Sequence, residues 1–157
     1  MNRDESIRFA TKYLEDLLSF FGINVAVQST SEDDVIQLSI PSTSMNSLLI
    51  GKNANNLRAL QHIVMATLQA REAEMYRVNV DIADYKRQRA DKIEHQAEHW
   101  IDEVRRTGQT KILDLSPADR RTVHKFAETY SDIKTYSQGE GKERRLYIEK
   151  IHLNDEE

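Results

Sequence analysis

The sequence predicts an α+β protein of two small modules joined by a long charged helix. Three observations carry that prediction. Apolar residues repeat at helical spacing over 4–21 and then alternate in strand fashion, a second helix-and-strand series closes at 82, and a highly charged helical stretch over 84–106 is followed by one more helix and two strands. At 157 residues the chain suits one ordinary domain or two very small ones, each with a modest core.

Over 4–21, Ile7, Phe9, Ala10, Tyr13, Leu14, Leu17, Leu18 and Phe21 fall at steps of three and four, the period of an amphipathic helix, and Gly22 is placed to stop it. Ile23, Val25 and Val27 alternate with polar residues, as do Ile36, Leu38 and Ile40. With polar residues 29–34 between them they read as a hairpin with one buried face. Pro41 ends the second strand, a short helix fits within 42–50 and ends at Gly51, and a longer one runs over about 54–72 with Leu57, Leu60, Ile63, Val64 and Leu68. Tyr76, Val78, Val80 and Ile82 make a third strand by strict alternation.

Over 84–106 the apolar residues Tyr85, Ile93, Ala97, Trp100, Ile101 and Val104 form a narrow stripe on an otherwise charged helix closed by Gly108. Such a helix either bridges two units or packs on one of them. The boundary therefore falls near Asp84, giving a first domain at 1–83, a connecting helix at 84–109, a second domain at 110–152 and an acidic tail at 153–157. Ser116-Pro117-Ala118-Asp119 opens the next helix, with Ser at the N-cap and Pro at the first helical position, and the helix is expected to reach about Tyr130. Residues 134–137 and 145–151 read as strands joined by the Gly139-Glu140-Gly141 turn.

With 39% hydrophobic and 31% charged residues but only 5 Gly and 2 Pro, the composition is that of a helix-rich globular protein. The absence of cysteine rules out disulfides and thiolate metal sites. The opening MNRDESIRFATKYLEDLL is too charged for a signal peptide and no apolar run is long enough to cross a bilayer, so the expected location is the cytoplasm. A net charge of -4 argues at first against a nucleic-acid partner, because phosphate neutralisation dominates such binding. The distribution changes that. Residues 1–83 carry 7 basic and 10 acidic side chains, whereas 84–150 carry 15 and 13, with clusters at Lys86-Arg87-Gln88-Arg89 and Arg144-Arg145.

Two motifs bear on binding. The first is Gly51-Lys52-Asn53-Ala54, between two helices: a tight turn there lets backbone amides and the start of the next helix face a phosphate, with Lys52 supplying charge. Taken alone, a Gly-Lys pair is more often a helix stop followed by a polar turn. The second is the helix that places Arg120 and His124 four residues apart on one face, with Arg121 and Lys125 as a neighbouring pair. Arginine grips phosphate through its planar fork, and histidine donates a hydrogen bond or stacks on a base. By itself that spacing also arises on many solvated helix faces.

The order helix, strand, strand, helix, loop, helix, strand around Gly51-Lys52-Asn53-Ala54 resembles the KH type found in bacterial proteins, which clamps about four nucleotides with a Gly-x-x-Gly loop. The departure is Ala54, where the family usually has a second Gly; alanine adopts a positive backbone dihedral only at a cost, which implies weaker binding. The Arg120 to His124 helix, together with the segment from Thr135 through Arg144-Arg145 to Ile148, resembles the R3H domain, named for its Arg-x-x-x-His signature and associated with single-stranded nucleic acid. With Val80-Asp81-Ile82-Ala83-Asp84-Tyr85-Lys86-Arg87-Gln88-Arg89 between them, the whole from about Arg8 to Ile151 resembles the bacterial Jag family, also called SpoIIIJ-associated proteins. The additional N-terminal domain that members often carry is expected to be absent.

The resemblance implies a fold of a type II-like KH domain, a charged helix and a small α/β R3H domain. It implies no catalysis and no cofactor, but RNA binding and post-transcriptional regulation connected with cell division or envelope growth. Gly51, Lys52, Asn53 and Ala54 are expected to hold RNA backbone, with Arg58 extending the contact; Arg120, Arg121 and His124 are expected to meet phosphate or base, assisted by Ser137, Arg144 and Arg145. Single-stranded RNA is the expected partner, with single-stranded DNA, a homodimer and a small lone-KH protein left open. Two rival readings stand beside this one. His95-Gln96-Ala97-Glu98-His99 matches the inverted zinc-protease motif, which makes a zinc hydrolase with Glu98 as base the catalytic alternative, although no third ligand can be named. The other is a protein-interaction adaptor with weak RNA affinity, suggested by Ala54 and by the acidic first domain.

Overall fold

The computed structural model describes residues 1–152, so the acidic tail expected at 153–157 lies outside the described residues. The chain divides into two compact units, with the break between Lys86 and Arg87.

In the first unit, α1 (Arg3–Ser19) opens with a reciprocal cap: the Asn2 side chain accepts from the Glu5 amide at 2.9 Å while the Glu5 carboxylate accepts from the Asn2 amide at 2.9 Å. Its buried face is Ser6, Ala10, Leu14 and Leu18, and the Ser6 hydroxyl is satisfied by donating to the Asn2 carbonyl at 2.7 Å. The strands β1 (Gln28–Glu32), β2 (Val35–Ile40) and β3 (Arg77–Ile82) form a sheet in the order β1-β2-β3. β1 runs antiparallel to β2, and β2 parallel to β3. A parallel pair needs a crossover, here supplied by α2 (Asn46–Ile50) and α3 (Asn55–Ala70). Ile36, Leu38 and Ile40 of β2 and Val78, Val80 and Ile82 of β3 bury one sheet face with Leu57, Leu60, Val64 and Leu68 of α3 and the apolar face of α1. This is the element order expected from the sequence.

One element falls elsewhere. The first strand was expected over Ile23, Val25 and Val27, with 29–34 as the turn; the ladder instead uses 28–32 and turns at Asp33-Asp34, with Asp33 at φ 51°. Ile23 and Val27 are buried in the core without joining the sheet, and β1 is exposed along its whole length. An edge strand with no buried face leaves no alternation to read, so its position is set by pairing with β2.

In the second unit, α4 (Tyr85–Thr107), which begins within the last two residues of the first, and α5 (Pro117–Ala127) pack with a sheet of β4 (Lys111–Leu113), β5 (Ile133–Gln138) and β6 (Arg145–Lys150) in the antiparallel order β4-β6-β5. The core joins Ile93, Ala97, Ile101 and Val104 of α4 to Val123 and Ala127 of α5 and to Ile133, Leu146 and Ile148 of the sheet. The segment expected as a separate connector at 84–109 is thus an integral helix of the second unit from Arg87 onward. Of its six-residue stripe, Ile93, Ala97, Ile101 and Val104 are buried in this core and Trp100 packs against it, while Tyr85 packs on the core of the first unit. Strand β4, three residues long, had no signal of its own and is defined by pairing with β6. Among the described residues, no helix is long and apolar enough to cross a membrane.

If α4 is a core element, Ile101→Ala destabilises the second unit by about 2–5 kcal/mol, read by urea denaturation; a cost below about 0.5 kcal/mol would return the helix to the role of a solvated connector.

Candidate nucleic-acid interface

In the first unit the connection between α2 and α3 is held by one side chain. The Asn56 amide donates to the Leu48 carbonyl at 2.7 Å, tying the start of α3 to α2 across the turn. Gly51 sits at φ 73°, and a Cβ added there would meet Asn56 Cγ and Nδ2 at 2.7 Å. Glycine is therefore required twice over, by dihedral and by space. Asn53 (φ 54°) and Ala54 (φ 58°) follow in the left-handed region although neither is glycine. Because Ala54 brings no side-chain cap, the N-terminus of α3 faces the turn without a capping oxygen. Lys52, Asn53 and Arg58 are exposed around it, and Arg58 donates to Asn55 Oδ1 at 2.5 Å.

Lys86 joins this surface, although its sequence context gave it no stated role. Its ammonium donates to Asn79 Oδ1 and, at 3.3 Å, to Gln61 Oε1; Gln61 also accepts from the Val80 amide on the outer edge of β3 at 3.0 Å. Loss of water around the ammonium lowers its pKa from the usual lysine value, against the Asp81 carboxylate and with help from the Arg58 guanidinium. Lys86 and Arg58 are thus close enough to feel each other's charge.

In the second unit, α5 starts at a Ser116 cap that accepts from the Asp119 amide at 3.2 Å, and the buried Asp119 carboxylate pairs with Arg89 of α4 at 2.9 Å. That fixes the turn carrying Arg120 and His124. The His124 ring is bonded at both nitrogens: Nδ1 to the Thr135 hydroxyl at 2.7 Å and Nε2 to the Ser137 hydroxyl at 2.9 Å. Thr135 and Ser137 are two apart on β5 and so share its helix-facing side with Ile133. Burial, then the Arg120 and Arg144 guanidiniums, lower the imidazole pKa below its ordinary 6.5. Two hydroxyls are able to accept from a charged ring, so burial and like charge, rather than the hydrogen bonds, keep it neutral.

The structure gathers Arg120, His124, Ser137 and Arg144 into one cluster. Arg120 is anchored on the Leu115 carbonyl and Arg144 on the Gly139 carbonyl, each at 2.8 Å, which fixes the direction of their forks. Arg121 is exposed one position round the helix, and Arg145 turns to the Lys142 carbonyl at 2.8 Å and to Asp114 at 3.5 Å. Sequence reasoning missed Thr135 and Asn56. The alternation of Thr135 with Ser137 was a readable signal for the first, whereas Asn56 acts through a contact eight residues back that no local pattern reports. His95 and His99 lie exposed on α4 with ring centroids 5.1 Å apart, and among the described residues no group of three or more His, Cys, Asp or Glu side chains is placed to hold a metal ion.

Residues 91–150 match the R3H domain. The chain is 32% identical over 105 residues to the RNA-binding protein KhpB of Bacillus subtilis, covering 65% of this chain and 50% of that protein. It is 24% identical over 147 residues to KhpB of Clostridium symbiosum, 93% and 65% of the two chains, and 29% identical over 107 residues to KhpB of Lactiplantibacillus plantarum, 68% and 33%. The second unit therefore carries an R3H domain, and the chain is similar to KhpB proteins of the Jag family. Its match spans from a third to about two thirds of the length of these Jag relatives, and the R3H match includes most of α4, in agreement with the packing of that helix in the second unit.

Two outcomes follow from this geometry. Gly51→Ala destabilises the first unit by about 2 kcal/mol or more, since both dihedral and Asn56 oppose it, while Ala54→Gly raises stability by about 0.5–1 kcal/mol, as measured by chemical denaturation. A histidine whose folded pKa is depressed is protonated more readily in the unfolded chain. Its contribution is therefore complete above 6.5, falls as pH drops through that value, and levels off once the folded ring also protonates. The second unit's denaturation midpoint should fall between pH 7.5 and about 5, and His124→Gln should flatten that slope; equal slopes in the two proteins would remove His124 as its source.

Proposed function

We propose that this protein binds single-stranded RNA through two modules, a KH-type loop at Gly51-Lys52-Asn53-Ala54 extended by Arg58, and the R3H surface of Arg120, His124, Ser137 and Arg144, with Arg121 and Arg145 at its margin. The observation that carries the reading is the second cluster: two backbone-anchored guanidiniums beside a half-buried histidine bonded to two hydroxyls, within a matched R3H domain. Fixed guanidiniums suit phosphate oxygens, and the Ser137 hydroxyl adds a donor at the same place. His124 acts in this scheme by positioning Ser137 and Thr135 and keeping the ring uncharged. The relatives' names, RNA-binding protein KhpB, agree with an RNA partner. The protein works by binding rather than by catalysis, in the cytoplasm, as a post-transcriptional regulator. Its connection with cell division or envelope growth, and a small KH-domain partner protein, follow from the Jag resemblance alone.

The adaptor reading has one specific support, the side chains of Phe20 and Phe21 after α1, 86% and 59% exposed on a unit with more acidic than basic groups. Fluorescence-anisotropy titration of single-stranded RNA at several salt concentrations separates the two. Lys52→Asp/Asn53→Asp and Arg120→Ala/Arg144→Ala, each checked for folding by circular dichroism, should bind about tenfold or more weakly, and each phosphate-contacting cation removed should lower the slope of log affinity against log salt by about one. An intact protein without saturable RNA binding at low salt would sink the reading in favour of the adaptor.

A further inference from the structure

Both helices of the second unit pack on one face of its sheet, the face of Ile133, Leu146 and Ile148. Among the described residues, no helix of that unit contributes to the opposite face, and its register builds three rows across the strands. The middle row is Ile112 of β4, Tyr147 of β6 and Tyr136 of β5, paired directly across the ladders. The two tyrosine rings stack with centroids 5.0 Å apart and planes within 3° of parallel, and Ile112 beside them is 58% exposed. One flanking row contains Lys134 opposite Glu149, with the Lys134 ammonium 5.6 Å from the centre of the Tyr136 ring. The other contains Gln138 opposite Arg145.

This row is exposed at Ile112 and half-buried at the two tyrosines, which cover part of each other by stacking, whereas sheets open on one side normally turn polar residues outward. We infer that this outer face is a second contact surface of the R3H unit, on which a base of single-stranded RNA stacks against the Tyr136–Tyr147 pair. The inference rests on the RNA-binding reading above. Two observations select this occupant. A cation stands on each side of the aromatic row, Lys134 opposite Glu149 at one side and Arg145, 3.5 Å from Asp114, at the other, so that a passing phosphate exchanges with a carboxylate at each while its base stacks. The row is also continuous with the cluster on the helix side: Ser137 and Gln138 are consecutive on β5 and point to opposite faces, and Arg144 immediately precedes Arg145, the first residue of β6 and the partner of Gln138. A strand gripped by Arg120, Ser137 and Arg144 therefore needs only to turn over the hairpin at 138–145 to reach the tyrosines. Stacking is sequence-tolerant, since every base has a π-face, so the surface adds affinity and length dependence rather than base choice.

The test uses the full chain and single-stranded RNA carrying 5-iodouridine, irradiated to cross-link and sequenced at the peptide level, beside anisotropy titrations of Tyr136→Thr, Tyr147→Thr and the corresponding Phe variants. Threonine keeps strand propensity while removing the ring; phenylalanine keeps the ring. Cross-links at Tyr136 or Tyr147, with a loss of about tenfold in the Thr variants and near-intact affinity in the Phe variants, are expected. If the Thr variants bind like the unaltered chain while Arg120→Ala/Arg144→Ala does not, the outer face is not a nucleic-acid surface and the RNA reading stands. If they alter self-association in sedimentation but not RNA affinity, the face belongs to a second copy and the inference is overturned. Absence of saturable binding by the unaltered chain overturns both readings together.

Discussion

The second unit depends on the burial of one stripe, Ile93, Ala97, Ile101 and Val104 of α4. These four supply nearly half of its buried core, and without them the inner sheet face and the apolar side of α5 have no cover. A unit this small has no surplus core to lose. The same helix also orients the site. Arg89 pairs with buried Asp119 at the first turn of α5, Arg105 reaches Asp132 just before β5 at 2.8 Å, and Glu103 holds Lys111 on β4 at 2.7 Å. The first of these matters most, because removing one partner of a largely buried ion pair leaves the other charge uncompensated next to Arg120.

Most of the first unit's order was legible because its core elements have clean periods: α1 and α3 repeat at helical steps, and β2 and β3 alternate with their buried residues as expected. What failed was β1, whose five residues are all exposed and whose identity comes from its partner rather than from itself. The apolar residues at 23–27 looked like a strand because burial and pairing coincide in most sheets, yet Ile23 and Val27 bury side chains without a ladder. For α4, a stripe of four residues per 23-residue helix is as compatible with a connector as with a core element, and only the packing decides. In the candidate site, Arg120 and His124 were legible from four-residue spacing. The partners that determine what His124 does, Thr135 and Ser137, lie 11 and 13 residues on and become visible only through β5.

The loop at 51–54 shows how a fold accommodates a substitution at a strained position. Gly51 and Ala54 both carry positive φ, but they differ in space. At Gly51 the Asn56 side chain occupies the volume of any Cβ, and Asn56 cannot withdraw without releasing the Leu48 carbonyl. At Ala54 the methyl group packs against the core, so part of the dihedral cost of about 1–2 kcal/mol is offset by burial. Alanine is thus tolerated at the second position and not at the first. The left-handed backbone at Ala54 draws on the clamp between α2 and α3 rather than on the freedom of glycine.

If RNA binds as proposed, a chain of net charge -4 must meet it through local fields, and the two candidate surfaces differ in how they build them. Charges separated by more than about 8–10 Å are largely screened at physiological salt, so the acidic groups elsewhere count for little at either site. In the first unit the positive charge comes from Lys52, Arg58 and the partly desolvated Lys86, together with the start of α3, and it sits on an otherwise acidic module. In the R3H unit Arg120 and Arg144 are already held by backbone carbonyls, so little side-chain freedom remains to be lost on binding. The lowered pKa of His124 follows from burial first and from the same two cations second. Were the ring charged, three like charges would compete for the water they need; uncharged, it spends both nitrogens on β5 and leaves the phosphate to the guanidiniums and the Ser137 hydroxyl. Arginines that repel the imidazole proton in the free protein are neutralised when phosphate arrives, so binding itself relaxes the constraint on His124, and acid, which weakens the free unit, weakens the occupied one less.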